Sequence, residues 1–324
     1  MPRVLILKDE NPRSRVERID DDQLPQREVS VDIDYSDLNY KDALAVSGTG
    51  KIVREYPFVP GIDLAGSVRE SSDERYRPGD KVILTGWGVG ERYWGGFAEA
   101  MNVDAQWLVP CPETMTTQRA MLLGTAGLTA MLCVIRLEEA GLPPGSPIVV
   151  TGATGGVGSW AVQMLADLGH EVHAVTGKPD QSQWLKELGA YDIHDRTEFE
   201  GEPRALEKGH WAGAVDTVGG QVLTNVLARM DYNGRVAAVG LAGGIELPTT
   251  VMPFILRGVS LLGTDSVMIP FEQRRAAWQR LAELPDALFA NMQYEEIGLE
   301  LIAERAEAML NGDIHGRLLI DPRR

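Results

Sequence analysis

Cysteine and histidine are scarce in this chain of 324 residues, which has two cysteines and five histidines. Two cysteines exclude a disulfide framework and a zinc lobe built on four cysteines, and they suit a reducing compartment. Basic residues are also few, because 31 Lys and Arg face 47 Asp and Glu, which gives a formal net charge of −16. Since binding to nucleic acid needs a basic surface, we expect no nucleic-acid partner.

Long apolar runs are missing as well. The first ten residues hold only a short apolar stretch before charge returns, so they lack the form of a signal peptide. No run approaches the roughly 20 apolar residues of a membrane helix. We therefore expect a cytoplasmic protein without a membrane partner.

The residue pattern of the chain changes between its first 120 residues and the part from residue 147 onward. The first 120 residues combine a strand-like alternation of apolar and polar positions at 29–35 and a second predicted strand at 81–84 with Pro and Gly turns, which predicts a small β-barrel or sandwich. From residue 147 onward, short apolar runs alternate with helical stretches, which predicts a parallel sheet with helices on both faces. Strands are predicted at 148–151, 171–175, 212–216, 235–239, 259–262 and 317–320. Helices are predicted at 120–140 (interrupted at Gly124 and Gly127), 160–168, 184–188, 273–284 and 300–310.

A glycine-rich segment lies between the predicted strand at 148–151 and the predicted helix at 160–168. It reads Gly-Ala-Thr-Gly-Gly-Val-Gly over 152–158, a variant of the dinucleotide fingerprint with alanine at the first position. Glycines at these positions let backbone N–H groups approach a pyrophosphate at the N-terminus of the helix. The alternative is a tight turn that serves helix–strand packing alone. The residues predicted to bind the cofactor here are Thr154, Gly155, Gly156, Val157 and Gly158.

The residues that follow the predicted strand at 171–175 favour NADPH over NADH. An NAD enzyme has Asp or Glu near this point, whereas the first acidic residue here is Asp180. Thr176 offers a hydroxyl, Gly177 an N–H and Lys178 a cation, a set that suits a 2′-phosphate. The alternative is that Lys178 is an ordinary solvated lysine.

These features together resemble the medium-chain dehydrogenase/reductase superfamily. Segments similar to its acrylyl-coenzyme A reductase branch are Leu-Asn-Tyr-Lys-Asp at 38–42, Pro-Gly-Ile-Asp-Leu-Ala-Gly at 60–66 and Leu-Pro-Thr-Thr-Val-Met-Pro-Phe-Ile-Leu-Arg at 247–257. The resemblance implies an α/β fold. A GroES-like β-rich catalytic domain would span 1–121 and 266–324, and a Rossmann domain with a doubly wound parallel sheet would span 122–265, with the cofactor in the cleft between them. It also implies the NADPH-dependent reduction of acrylyl-CoA to propionyl-CoA.

The resemblance bears on zinc too. Zinc-containing members of the superfamily carry Gly-His-Glu, whereas the matching segment here is Gly61-Ile62-Asp63. Cys111 and Cys133 lie in apolar settings that are typical of buried thiols. The five histidines show no ligand spacing along the chain, so we expect no metal.

Reduction of an activated C=C bond needs a hydride at the β-carbon, donors that stabilise the enolate, and a proton at the α-carbon. Asn39 and Tyr40 are the candidate catalytic residues, because the resembled superfamily has this segment near the nicotinamide. Tyr40 either donates a proton or hydrogen bond to the thioester oxygen, or packs with its ring while its hydroxyl binds the cofactor. Lys41 and Asp42 are interpreted as an ion pair that orders the loop, and Asp63 as a structural carboxylate bonded to backbone.

The resemblance extends the cofactor site beyond the glycine turn. Thr125 and Thr129 are expected near the nicotinamide and its ribose, with helix-start capping as the alternative. Leu241 follows a strand end, where ligands bind in open α/β sheets, and Ser266 is expected to complete the same wall. Arg317 resembles a late basic residue that reaches a cofactor phosphate, and the alternative is a solvated arginine.

The predicted strand at 259–262 would expose unpaired backbone if it lay at the edge of the sheet. Members of the superfamily commonly pair such edges across a two-fold axis, so the resemblance implies a homodimer. Two other functions stay open. One is a quinone reductase that uses the same cofactor site, and the other is a non-catalytic cofactor-binding protein.

Overall fold

The computed structural model describes residues 1–10, 13–202 and 204–324. Its strands are β1 (Arg3–Leu7), β2 (Ser14–Arg18), β3 (Val29–Asp37), β4 (Asp63–Ser71), β5 (Lys81–Thr85), β6 (Ala100–Val103), β7 (Leu108–Pro110), β8 (Pro147–Thr151), β9 (Glu171–Thr176), β10 (Asp192–Asp195), β11 (Trp211–Asp216), β12 (Met230–Ala238), β13 (Ser260–Gly263), β14 (Tyr294–Ile297) and β15 (Arg317–Ile320). Its helices are α1 (Tyr40–Ser47), α2 (Thr117–Glu139), α3 (Gly156–Asp167), α4 (Ser182–Glu187), α5 (Gly220–Ala228), α6 (Met252–Arg257), α7 (Phe271–Ala282), α8 (Asp286–Asn291) and α9 (Ile302–Leu310).

The chain divides into two compact units. The first holds Met1–Leu128, Ser266–Leu284 and Gln293–Arg324, and the second holds Thr129–Asp265 and Pro285–Met292. The domain limits predicted from the sequence, 1–121 with 266–324 and 122–265, stay a prediction. The compact units differ from those limits at residues 122–128 and at Pro285–Met292. The latter segment joins the second unit, where Phe289 packs against Trp160 with 5.5 Å between ring centroids.

The first unit is built on a mainly antiparallel sheet with the strand order β14-β15-β3-β4-β5-β7, and β6 also pairs with β3. In β3, buried and half-buried residues alternate over the first six positions, as expected for a strand with one face on the core. The core below it includes the fully buried Ile33, Leu64, Leu84 and Met101. The β-rich character predicted for the first 120 residues is confirmed.

The second unit is built on a six-stranded parallel sheet with the order β10-β9-β8-β11-β12-β13. This is the strand order of a Rossmann fold, with β8 as its first strand. The order reverses between β8 and β11, and ligands of such sheets bind beyond the carboxyl ends of the strands at this reversal. The glycine-rich segment at 152–158 directly follows β8, so the fold places it at that point.

Helix α2 is apolar and long. By length and composition alone it could cross a membrane, and 83% of its apolar window is buried. A core helix passes the same test, so α2 is weak evidence for a membrane span, and the absence of a membrane partner stays a prediction. The helix has non-helical backbone angles at Gly124, with φ 53° and ψ −155°. The break predicted at Gly124 is therefore present, while Gly127 continues the helix.

Candidate functional site

A group of buried polar side chains joins strand ends and helix starts in the first unit. We call it the carboxylate network, and its members are Asp37, Asn39, Asp42, Asp63, Thr125 and Arg317. Asp37 ends β3, Asp63 begins β4 and Arg317 begins β15, so neighbouring strands of one sheet bring these three residues together. The carboxylates of Asp37, Asp42 and Asp63 are all fully buried.

Asp63 organises one side of the network. Its Oδ2 accepts hydrogen bonds from Asn39 Nδ2 at 2.9 Å and from the backbone N–H of Thr125 at 2.7 Å. Its Oδ1 accepts from the Thr125 hydroxyl at 2.6 Å. The interpretation of Asp63 as a structural carboxylate bonded to backbone is confirmed, and the same bonds fix the position of Thr125.

Arg317 supplies the positive charge of the network. Its guanidinium forms an ion pair with Asp37 and donates to the carbonyl oxygen of Leu122 at 3.1 Å and to Asn39 Oδ1 at 3.3 Å. Its side chain is 4% exposed. The alternative of a solvated arginine is therefore wrong, while the predicted contact of Arg317 with a cofactor phosphate stays a prediction. The physical reason is that a carboxylate as buried as Asp37 needs a buried partner.

Burial changes the protonation of this network. The network holds three carboxyl groups and one guanidinium, and desolvation together with the neighbouring Asp63 holds the pKa of Asp37 well above its ordinary value. Asp42 accepts the backbone N–H groups of Asn39 and Ile62, each at 2.9 Å, yet burial still raises its pKa to about 7. The network therefore holds protons at a pH where exposed carboxyl groups have lost them.

The predicted ion pair between Lys41 and Asp42 is wrong. Lys41 Nζ contacts Glu91 Oε1 at 2.8 Å, whereas Asp42 turns inward to backbone N–H groups. Asp42 is the third residue of α1, where its side chain caps the helix together with Asn39.

Tyr40 is the first residue of α1 and is 46% exposed. The residue before it, Asn39, is held by Asp37, Asp63 and Arg317 through its amide group. The network thus fixes the backbone from which Tyr40 projects, while its ring and hydroxyl remain accessible.

The glycine turn of the second unit begins where β8 ends. Gly155 N–H donates to the carbonyl oxygen of Gly152 at 2.9 Å, and α3 starts at Gly156. A Cβ on Gly158 would lie 2.2 Å from that same oxygen, so a side chain does not fit there. The first N–H groups of α3 lack helical acceptors, so the turn presents donors and a helix N-terminus suited to a phosphate group.

The carboxyl end of β9 lies beside this turn. Thr176 Oγ1 is 3.3 Å from Thr154 Oγ1 and accepts the backbone N–H of Lys178 at 3.0 Å. Sequence reasoning missed Arg196, whose guanidinium carbon is 3.0 Å from the point where a Cβ on Gly177 would lie. Arg196 directly follows β10, and adjacent parallel strands end at the same edge of a sheet, so the strand order is the signal that could have found it.

Hydrogen bonds connect the strand ends around the glycine turn. Asp216, at the end of β11, accepts the Thr151 hydroxyl at 2.7 Å and the Gly219 N–H at 2.8 Å. Leu241 follows β12 and is 62% exposed, as a ligand-contacting residue at this edge should be. Thr129 is buried in the second unit, and Ser266 is half-buried in the first. Their predicted places near a nicotinamide stay predictions.

The residues at the position where zinc-containing members of the resembled superfamily hold their ion do not fit zinc. Ile62 offers no ligand atom, and both oxygens of Asp63 accept hydrogen bonds within the carboxylate network. Burial raises the pKa of Cys111 to about 11 and that of Cys133 to about 12, so both are protonated thiols rather than metal-binding thiolates.

A cavity of about 490 Å³ in the first unit is lined by cationic and aromatic side chains. Among them are Lys51, Arg54, Arg92, Tyr93 and Trp94. In a chain of net charge −16, this is a local concentration of positive charge. Glu91 in the cavity wall is the partner of Lys41, so an ion pair links the cavity to the start of α1.

Comparison with known proteins adds to this geometry. Residues 25–113 match the alcohol dehydrogenase GroES-like domain, and residues 156–283 match the zinc-binding dehydrogenase family. Acrylyl-CoA reductase AcuI of Ruegeria pomeroyi is 54% identical over 302 residues, which cover 92% of this chain and 91% of that protein. The probable acrylyl-CoA reductase AcuI of Escherichia coli is 54% identical over 307 residues, 94% of each chain. The crystal structure of the yhdH oxidoreductase from Salmonella enterica in complex with NADP has a TM-score of 0.96 at 51% identity and covers 99% of both chains.

Proposed function

Because the chain belongs to the acrylyl-CoA reductase family of the medium-chain dehydrogenases/reductases, we propose that it reduces the C=C bond of a short α,β-unsaturated acyl-CoA with NADPH. Acrylyl-CoA would be the substrate and propionyl-CoA the product. The observation that carries this proposal is the 54% identity to the Ruegeria pomeroyi acrylyl-CoA reductase over nearly the whole chain. The reaction would use no metal, in keeping with the donor-free Ile62 in the segment where zinc enzymes have a ligand.

The second unit has the donors that NADPH needs. Backbone N–H groups of Gly155, Gly156, Val157 and Gly158 would hold the pyrophosphate at the start of α3. Thr154 lies beside Thr176 at the edge of the same turn. The 2′-phosphate would be held by Thr176, Gly177 and Lys178, with Arg196 as an additional cation. When bound, NADPH supplies the hydride for the reaction.

The first unit has the groups that the substrate needs. Tyr40 is accessible and sits on a backbone fixed by the carboxylate network, so its hydroxyl can donate a hydrogen bond or a proton to the enolate that forms. Asn39 positions Tyr40 and need not touch the substrate. The alternative, in which the Tyr40 hydroxyl binds the cofactor, stays open, and so do the predicted cofactor contacts of Thr125, Thr129, Leu241 and Ser266.

The cationic cavity supports a coenzyme A thioester over a quinone. Coenzyme A carries several phosphate charges and an adenine ring, and the cavity offers Lys51, Arg54 and Arg92 next to Tyr93 and Trp94. A quinone has no charge for these residues to bind. We place the nucleotide part of the substrate in this cavity.

We also propose a cytoplasmic homodimer. Strand β13 ends the parallel sheet, as the edge interpretation requires. The segment before it exposes apolar side chains, with Ile245 at 85% and Ile255 at 71%. An unpaired strand edge next to exposed apolar surface is typical of an interface between two copies.

The experiment that tests the function follows NADPH absorbance with four substrates. These are acrylyl-CoA, crotonyl-CoA, an acrylyl thioester of N-acetylcysteamine and a benzoquinone. We expect fastest turnover with acrylyl-CoA and a higher KM for the truncated thioester, which lacks the nucleotide. Turnover of the quinone alone would establish a quinone reductase. Absence of turnover with all four would favour a non-catalytic cofactor-binding protein.

A further inference from the structure

Three potential metal ligands lie on one face of the second unit's sheet. Strands β9 and β10 are parallel neighbours, and Asp192 is paired with His173 in their register. His194 follows Asp192 by two residues, so its side chain points to the same face. The register of two strands thereby brings together residues that show no ligand spacing along the chain.

The distances between these groups suit a single ion. His173 Nδ1 and His194 Nε2 are 3.0 Å apart, and His194 Nε2 is 3.8 Å from Asp192 Oδ2. One ligand atom from each residue lies within 4.8 Å of the other two. Two imidazole nitrogens on one tetrahedral zinc ion are separated by about 3.4 Å, so binding requires a shift of a few tenths of an ångström.

We propose that His173, Asp192 and His194 form a binding site for a divalent transition-metal ion, with Zn²⁺ as its representative. Two imidazoles and one carboxylate are ligands that zinc prefers over magnesium. A water molecule would complete the coordination, because Asp192 is exposed and leaves one side of the site open.

The surroundings of His194 accommodate the tautomer that this role requires. Its second ring nitrogen, Nδ1, is 3.8 Å from Glu198 Oε2. Asp192 Oδ2 is equally far, at 3.8 Å, from Nε2, so the two carboxylates accommodate the hydrogen on either nitrogen. Metal binding would select the form with the hydrogen on Nδ1, where it faces Glu198, and with the Nε2 lone pair on the ion. His173 would bind through Nδ1 with its hydrogen on the other ring nitrogen, so two neutral imidazoles would bind the metal without net release of a proton.

An aromatic wall limits how the two histidines can move. Trp211 lies with its ring centroid 6.0 Å from each imidazole, and Phe199 lies 6.3 Å from His194. Packed rings of this kind hold ligand side chains in place and exclude water from one side of a site. The ion would clamp the outer strand β10 onto β9.

Calorimetric titration of tag-free protein with Zn²⁺ tests the proposal. We expect one ion per chain with micromolar or tighter affinity, and a loss of about tenfold or more in the variants His194→Gln and Asp192→Asn. The matched control is His210→Gln, since His210 also contacts Trp211, at 5.5 Å, but is not one of the three ligands. It should keep wild-type affinity.

Two further readouts make the outcome decisive. Zn²⁺ should raise the melting temperature of the wild type and of His210→Gln, but not of Asp192→Asn, whose exposed position makes it a variant that folds. Co²⁺ should give visible absorption bands that His194→Gln abolishes. The proposal is overturned if the wild type does not bind Zn²⁺, if Mg²⁺ binds equally well, or if the ligand variants bind like the control.

Discussion

Single residues in the first unit owe their roles to charges buried around them. Asn39 uses its amide to contact Asp37, Asp63 and Arg317 and uses its backbone to start α1. Tyr40 follows it and is the accessible member of this local structure. A side chain that projects from a fixed backbone and stays accessible is well placed for chemistry, because its attachment point is already ordered before the substrate binds.

Tyr40→Phe should lower kcat by about 100-fold if its hydroxyl is the proton donor, with little change in the Kd for NADPH. Steady-state rates with acrylyl-CoA and fluorescence titration with NADPH measure the two quantities. Tyr232→Phe, at an exposed tyrosine of the second unit, is the matched control. An unchanged kcat would leave water as the source of the proton.

Lys178→Ala and Arg196→Ala should each weaken NADPH binding by roughly tenfold or more and leave NADH binding nearly unchanged, since a charged hydrogen bond contributes about 1.5–3 kcal/mol. The reason is that both cations adjoin Gly177 at the predicted place of the 2′-phosphate. Kd values for the two cofactors measure this, with Lys186→Ala as a control. Equal losses for NADPH and NADH would contradict the assignment.

The protonation of Asp42 should make stability depend on pH. Its pKa is about 7 in the folded protein against 3.8 for the free group, so the folded state binds the extra proton between these values. Its contribution is therefore fully present below the lower value and is lost as pH rises through about 7, a change of roughly 4 kcal/mol at most.

Urea unfolding at about pH 5 and pH 8 measures this dependence. Between the two conditions, the wild type should lose more unfolding free energy than Asp42→Asn, which cannot titrate at this position. The comparison between proteins removes the contributions of other groups. A difference between wild type and variant that does not change with pH would show that Asp42 is ionised throughout.

At the scale of elements, the break in α2 serves the carboxylate network. Gly124 adopts φ 53°, and a Cβ at this position would lie 2.0 Å from Asp37 Oδ2 and 3.0 Å from Asp63 Oδ2. The helix therefore leaves no room for a side chain between its backbone at Gly124 and the two carboxylates. The turn also directs the N–H of Thr125 to Asp63.

Gly124→Ala should destabilise the protein by roughly 3 kcal/mol, since it adds a clash with buried atoms to the cost of a positive φ. The control is Gly79→Ala, because Gly79 has φ 94° but a Cβ there meets nothing within 4 Å. It should cost only about 1 kcal/mol. Chemical denaturation measures both, and equal costs would mean that the contact with Asp37 is easily relieved.

Strands were easier to predict from the sequence than the contacts of the carboxylate network. β8, β9 and β15 were predicted to within one residue because an apolar run bounded by turns is a local signal. The pairing of Asp37 with Arg317 joins residues 280 positions apart, and no local pattern carries that information. For the same reason the cationic Arg196 beside Gly177 escaped prediction, while the glycine turn itself did not.

At the scale of the whole molecule, the exposed apolar surface before β13 is the proposed homodimer interface. Ile255→Asp should convert a homodimer into a monomer, because it puts a charge into the apolar surface proposed as the interface. Light scattering coupled to size-exclusion chromatography gives the mass of the particle. Leu168→Asp, at an exposed leucine that ends α3, is the control and should stay dimeric. A monomeric wild type would remove the dimer proposal.

The path of the chain has a consequence for how the protein is made. Strands β3 to β7 of the first unit's sheet come early in the sequence, but strands β14 and β15 of the same sheet come after every strand of the second unit's parallel sheet. A ribosome therefore completes β13 before it makes Arg317, and until then Asp37 has no guanidinium to pair with. The parallel sheet of the second unit can therefore form before the first unit has Arg317. During synthesis from the N-terminus, we expect the second unit to fold first, although the first unit begins earlier in the chain.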